Sequence, residues 1–147
     1  MIASVVIRQA EAEHVAAITS LLQAAGLPAG IATRTVPWFS IALDGDEAVG
    51  TVAVEPCGGF GLLRSLAVRA DRRGAGIGCS LVAECEARAD AARLRGLYLL
   101  TTTARHFFRA RGYDDLEHWE LPEVIRDTAE YRTQSARGAV ALMKRLR

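Results

Sequence analysis

Among the 147 residues no apolar run reaches the ~18 residues of a membrane-spanning helix. That argues against a transmembrane protein. The first residues, MIASVVIRQAEAEH, lack a basic start and a long apolar centre, so they do not read as a signal peptide. A cytoplasmic location is expected. Neither charge sign is in excess, with 18 Lys and Arg against 17 Asp and Glu. A general nucleic-acid or membrane-surface binder usually carries a basic surplus, so neither partner is expected. The cysteines, Cys57, Cys79 and Cys85, are odd in number and lack CxxC spacing, which argues against a disulfide framework or a zinc site. His14, His106 and His118 lie far apart without HExxH spacing, so no metal is expected. No internal repeat, low-complexity tract or linker is visible. The chain reads as a single domain over residues 1–147, long enough for one ordinary core.

What is present is an alternation of strand and helix patterns. SVVIRQA reads as a first strand, and Val15, Ile18, Leu22 and Ala25 form one stripe of a following helix that Gly26 and Pro28 stop. A loop with room for a short helix leads to WFSIAL and EAVGTVAVE, two strands around the hairpin signal DGD. PCGG is a second turn, where Cys57 is expected to be exposed, and FGLLRSLAV is the next strand. A helix follows with Ile77, Leu81, Val82, Cys85 and Ala89 on one face. LYLLTTT is a continuous apolar strand, expected to be central. ARHFFRARG is a short helix closed by Gly112, YDDLEHWEL a strand, PEVIRDTAEY one short helix with Pro122 in its first turn, and GAVALMKRL the last strand. The order predicts an α/β fold: a mixed central β-sheet flanked by helices, in three layers α-β-α.

Between the third meander strand and its helix stands VRADRRGAGIG. Gly74, Gly76 and Gly78 have no Cβ, so a ligand can reach the main chain, and a helix start turns backbone N–H groups toward one point. Arg72 and Arg73 add charge at the rim. The combination suits a phosphate or pyrophosphate. A Walker loop is excluded because no lysine follows the glycines. A dinucleotide fingerprint fails because Cys79 stands where a glycine is required and because three strands precede the motif. A glycine-rich connector without a ligand is the plain alternative.

At this point the residues resemble a family. Arg73-Gly74-Ala75-Gly76-Ile77-Gly78 is similar to the R/Q-x-x-G-x-G/A motif of the GNAT acyl-CoA N-acyltransferases. Leu66-Ala67-Val68 is similar to the family strand along the pantetheine arm, and HFFRARGY to its later helix. AAGLP, GLLRSLAV, LYLLTTTA, FFRARGY and PEVIRDTAEY…ALMKRL further resemble small GNATs of arsenic-resistance operons. Two departures stand against that subfamily: Ser135-Ala136 where Cys-Pro is expected, and Ala29-Gly30-Ile31 where an acidic residue is expected.

The resemblance implies acetyl-CoA as donor, coenzyme A as product, and a small-molecule amine, amino-acid-like or arsenic-bearing, as acceptor. Attack on the thioester is direct, with no covalent enzyme intermediate. Arg73, Gly74, Ala75, Gly76, Ile77 and Gly78 would hold the pyrophosphate, Leu66, Ala67 and Val68 the pantetheine, and an N–H near Leu66 or Ala67 the oxyanion. The strands LLRSLAV and LYLLTTT would splay around the acyl group. Glu55 is the first candidate for general base and Glu117 the second. The family's usual proton-donating tyrosine is replaced by Phe108, counted among cofactor contacts, and His106 on the same helix is the substitute. Arg64 and Ser65 interrupt an apolar strand. Arg64 either binds an anionic group of the substrate or pairs with Glu55 or another acid. Thr102, with Thr101 and Thr103, would line the acceptor pocket. Trp119 is either interfacial in a homodimer or singly buried. A non-catalytic CoA sensor and a protein or peptide N-acetyltransferase are the rival functions.

Overall fold

The computed structural model describes residues 4–147. Its strands are β1 (Val5–Gln9), β2 (Phe39–Asp44), β3 (Glu47–Cys57), β4 (Phe60–Val68), β5 (Gly96–Thr101), β6 (Asp114–Leu116) and β7 (Val140–Arg145). Its helices are α1 (Val15–Ala24), α2 (Ile31–Thr35), α3 (Ile77–Ala91), α4 (Arg105–Arg109), α5 (Glu123–Arg126) and α6 (Ala129–Ala136). The described residues form one seven-stranded mixed sheet in the order β1-β2-β3-β4-β5-β7-β6. This is the α/β architecture expected from the alternation of patterns.

The residues cluster into two compact units. One comprises the described part of Met1–Val54 with Ser65–Arg88, the other Glu55–Arg64 with Ala89–Arg147. β3 and β4 each run through both.

In the first unit, β2 and β3 form a hairpin in which Asp44 faces Glu47 across a two-residue turn. Gly45 takes φ 61° there, the left-handed conformation such turns require. The register shifts between Ala42 and Leu43, leaving Val49 as an extra residue of β3. The Val49 carbonyl accepts instead from Arg69 N at 2.8 Å, just beyond β4. Side chains alternate across the sheet. Ala53 joins Phe39, Ile41 and Ala67 under Ile18, Leu21 and Leu22 of α1. Gly50, on the opposite face, lies beneath α3: a Cβ there would meet Leu81 Cδ1 at 2.9 Å and the Ala67 carbonyl at 3.3 Å. Arg88 donates to the Pro37 and Trp38 carbonyls and to Ser40 Oγ, tying α3 to the start of β2.

In the second unit the parallel ladder of β4 and β5 is short, Gly61 with Leu97 and Leu62 with Tyr98. β5 pairs antiparallel with β7 along its whole length, Gly96 with Arg145 to Thr101 with Val140. Cys57, Leu62, Tyr98, Leu100, Leu121 and Ile125 form its core.

The sequence patterns fail at five places. Ala25 caps α1 and is exposed, and Leu21 takes its place in the core. Cys57 belongs to β3, not to a turn, and is 3% exposed. β6 stops at Leu116, because Glu117 and Glu120 close a capping box around the short helical turn His118–Glu120. PEVIRDTAEY is divided between α5 and α6, because the Thr128 hydroxyl accepts from Tyr131 N and starts a new helix. Trp119 is 76% exposed, so the buried alternative fails.

Candidate active site

The glycine stretch folds as its composition predicts. After β4 a short helical turn, Ala70–Arg72, leads into residues 73–76, and α3 begins at Ile77. Gly74 and Gly76 hold φ 79° and 88°, conformations that L side chains rarely adopt. The Gly76 carbonyl accepts from Ser80 N at 3.1 Å, the first bond of α3. A helix start leaves its first N–H groups without intrahelical partners, and the helix dipole adds positive potential there. Ile77, 1% exposed, anchors the start against the sheet.

The arginines of the stretch differ. Arg69 is clamped by Asp71 at 2.7 and 3.2 Å, and its hydrogen bond holds the Asp71 carboxyl below its usual range. Arg72 donates to Asp44 at 2.8 Å. Arg73 donates only to the Val68 carbonyl, at 3.3 Å, and among the described residues no carboxylate pairs with it. Its charge is therefore open to an external anion. Beside it, between α1 and the Val68–Arg73 stretch, lies a cleft of about 450 Å³ lined in part by Ala17, Leu21, Ala48, Val68 and Arg73.

Ser65 sits mid-strand in β4 with φ 60° and is buried. A non-glycine residue in this region is strained, and a strand residue so held re-aims the backbone that follows it. Leu66 and Val68 beyond it are half-buried, and Ala67 is 5% exposed.

The second unit holds a buried polar cluster. The Arg64 side chain, 4% exposed, donates from Nη1 to Glu55 Oε1 at 3.0 Å, and its Nη2 lies 3.3 Å from Glu130 Oε1. Of the two readings of Arg64, the geometry shows pairing with acids. Glu130, on α6, is hydrogen-bonded to Gln134. Burial raises its pKa, Arg64 opposes that, and Glu55 adds to it. The nearby Cys57 thiol is pushed up to about 11 by burial and by Glu55, against Arg64. One guanidinium thus serves two carboxylates.

The same helix carries a second network. His118 Nε2 lies 2.9 Å from the Ala139 carbonyl, and Nδ1 lies 3.0 Å from the Tyr131 hydroxyl. A carbonyl only accepts, so Nε2 carries the proton. In the neutral ring Nδ1 then accepts from the Tyr131 hydroxyl.

The remaining expected residues fall elsewhere. Thr101 Oγ1 accepts from Ala104 N at 3.0 Å and so serves the start of α4, while Thr102 and Thr103 are exposed. His106 is exposed on α4. Phe108 is 3% exposed, edge-on to Phe107 and Tyr113 at 5.1 and 5.4 Å, which is a packing role. Glu117 is an exposed cap. Tyr98 is packed edge-on against Phe60 at 5.3 Å. The sequence reading missed Glu130, Tyr131 and Gln134. The available signal was Thr128 as N-cap with Glu130 in the first turn.

Residues 37–115 match the acetyltransferase (GNAT) domain, and the chain belongs to this family. Amino-acid acetyltransferases of Ectopseudomonas mendocina and Azotobacter vinelandii are 34% and 35% identical to it over 104 residues, 69% of this chain and 24% of theirs. The chain thus spans about a quarter of the length of these curated relatives. N-acetylglutamate synthase from Neisseria gonorrhoeae, complexed with coenzyme A and N-acetyl-glutamate, is 26% identical. It superposes with a TM-score of 0.87 over 97% of this chain and 35% of its own. A Mycobacterium tuberculosis protein, 24% identical over 94% of this chain and 97% of its own, has the same fold with a TM-score of 0.81.

Proposed function

We propose that the chain transfers an acetyl group from acetyl-CoA to the amine of a small amino-acid-like molecule. The observation that carries this reading is the cradle of Arg73–Gly78, a helix start opened by positive-φ glycines beside an arginine that has no acidic partner among the described residues. That is what a pyrophosphate requires. Leu66, Ala67 and Val68 hold the pantetheine by main-chain bonds, with the N–H of Leu66 or Ala67 on the thioester oxygen. Glu55 takes the proton of the amine, and the amine nitrogen attacks the carbonyl carbon. The C–S bond breaks, and the departing thiolate draws a proton from water or from His106. Amino acids are favoured as acceptors by the names of the relatives, and nothing in those names favours an arsenic compound.

A second reading, a CoA-binding sensor without turnover, is favoured by Phe108. It stands where the family's tyrosine is expected and is packed into the core. Calorimetric titration with acetyl-CoA, coenzyme A and NADH, with Gly76→Glu as control, tests the cradle. Binding of both CoA species, lost in the variant, is expected, and absence of binding overturns both readings. Thiol release with L-glutamate and other amino acids then separates them. In Glu55→Gln the enzyme reading predicts a kcat lower by about 10²–10³ with CoA affinity kept.

A further inference from the structure

We propose that Glu130 is a positioning residue: from α6 it holds one amino group of the Arg64 guanidinium so that the other stays on Glu55 while Glu55 takes up the proton of the acceptor amine. The inference rests on the reading of Glu55 as general base. Its geometric basis is the shared cation, with Arg64 Nη1 at 3.0 Å from Glu55 and Nη2 at 3.3 Å from Glu130. The Arg64 and Glu130 side chains are only 4% and 6% exposed.

A buried guanidinium facing one carboxylate loses its counter-charge when that carboxylate is protonated, and an unpaired buried cation is costly. Glu130 supplies the charge that remains, so Arg64 need not move during turnover. Glu55 and Glu130 thus share one cation, and the like charge of Glu55 acts on Glu130 across it. The groups facing this cluster are Glu55 and Cys57 from β3, Arg64 from β4, Gln134 of α6, and Arg137 just past α6. Cys57 stays a neutral thiol and contributes no charge near neutrality. The Thr128 cap and the Gln134 hydrogen bond fix the Glu130 carboxylate on its helix.

The test is Glu130→Gln, which preserves shape and removes the charge. Arg64 is then left to Glu55 alone, and the repelling carboxylate is gone. Both changes favour the charged form of the remaining carboxylate relative to wild type. The acid limb of kcat/KM, measured with acetyl-CoA and L-glutamate, is expected to move down by about one pH unit. Glu130→Asp is expected to return the limb toward the wild-type position. Carbon-13 NMR titration of the Glu55 carboxyl follows the same shift without turnover, and thermal unfolding checks that each variant is folded. A fall in rate with the limb and the Glu55 titration unmoved overturns the proposal in favour of a purely structural role. If wild-type protein releases no thiol with any amino acid, the functional reading falls together with the catalytic part of this inference. An unshifted Glu55 in the NMR titration overturns the inference alone.

Discussion

The cradle of the first unit and the cluster of the second are built from opposite materials. The proposed cradle is main chain: it offers the backbone N–H groups of a helix start, Gly74 and Gly76 are exposed, and Arg73, with no carboxylate partner among the described residues, lies at the surface. The cluster is side chain: Arg64 and Glu130 are buried, and each depends on a residue distant in sequence. A backbone site needs only local sequence to form and contributes little to stability. A buried ionic cluster is part of the core, so its loss is felt in folding before it is felt in chemistry.

Substitutions that divide binding from stability test this contrast. The largest effect is expected for Arg64→Ala, which strands two carboxylates, one of them deeply buried. Loss of one partner of a buried pair costs about 3–5 kcal/mol, read by urea unfolding. A loss near zero would erase the distinction between the two regions. Gly50→Val comes next. Its Cβ would lie 2.9 Å from Leu81 Cδ1 and 3.3 Å from a backbone oxygen, and overpacking of this kind costs about 1–3 kcal/mol by the same measurement. Arg73→Ala is expected to weaken acetyl-CoA binding about tenfold with the melting temperature unchanged, since this side chain is exposed and its hydrogen bond to the Val68 carbonyl is a long one. A fall in melting temperature would show that the cradle also bears on the core.

The smallest effect concerns acid. The Asp115 carboxyl is held at about 2, first by its hydrogen bond from Arg105 and then by the charges of Arg105 and Arg109. A carboxyl so depressed stabilises the fold above its unfolded value of 3.8, and that contribution is lost as pH falls toward 2. Asp115→Asn should therefore narrow its stability difference from wild type across this window. Unfolding curves at pH 5, 3 and 2 measure it.

The same contrast explains what could be read from the sequence. Gly74, Gly76 and Gly78 announce the cradle because the spacing and the conformation are local properties. The stripe Ile77, Leu81, Val82, Cys85 and Ala89 likewise marks the buried face of α3 directly. Arg64 could be recognised as a charge needing company, with Glu55 nine residues away as one candidate. Glu130 could not, because nothing local ties α6 to β4, and the polar sequence of that helix gives no apolar stripe to fix its facing. Cys57 was misplaced for a related reason: PCGG carries turn residues, yet β3 extends through Pro56 and Cys57 before the glycines turn the chain.

Burial of the thiols has a practical side. Cys57 and Cys85, pushed up to about 11 and about 12, present at most roughly one thiolate in 10,000 at pH 7 and lie out of reach of reagents. Cys79 is different, half-buried in the first turn of α3 at the mouth of the cradle. In a disulfide-exchange assay of the native protein, Cys57 and Cys85 are expected to stay silent and Cys79 to be the thiol that reacts. If the turn holds an anion as proposed, Cys79 is expected to serve as an occupancy gauge, its modification slowing once acetyl-CoA is added.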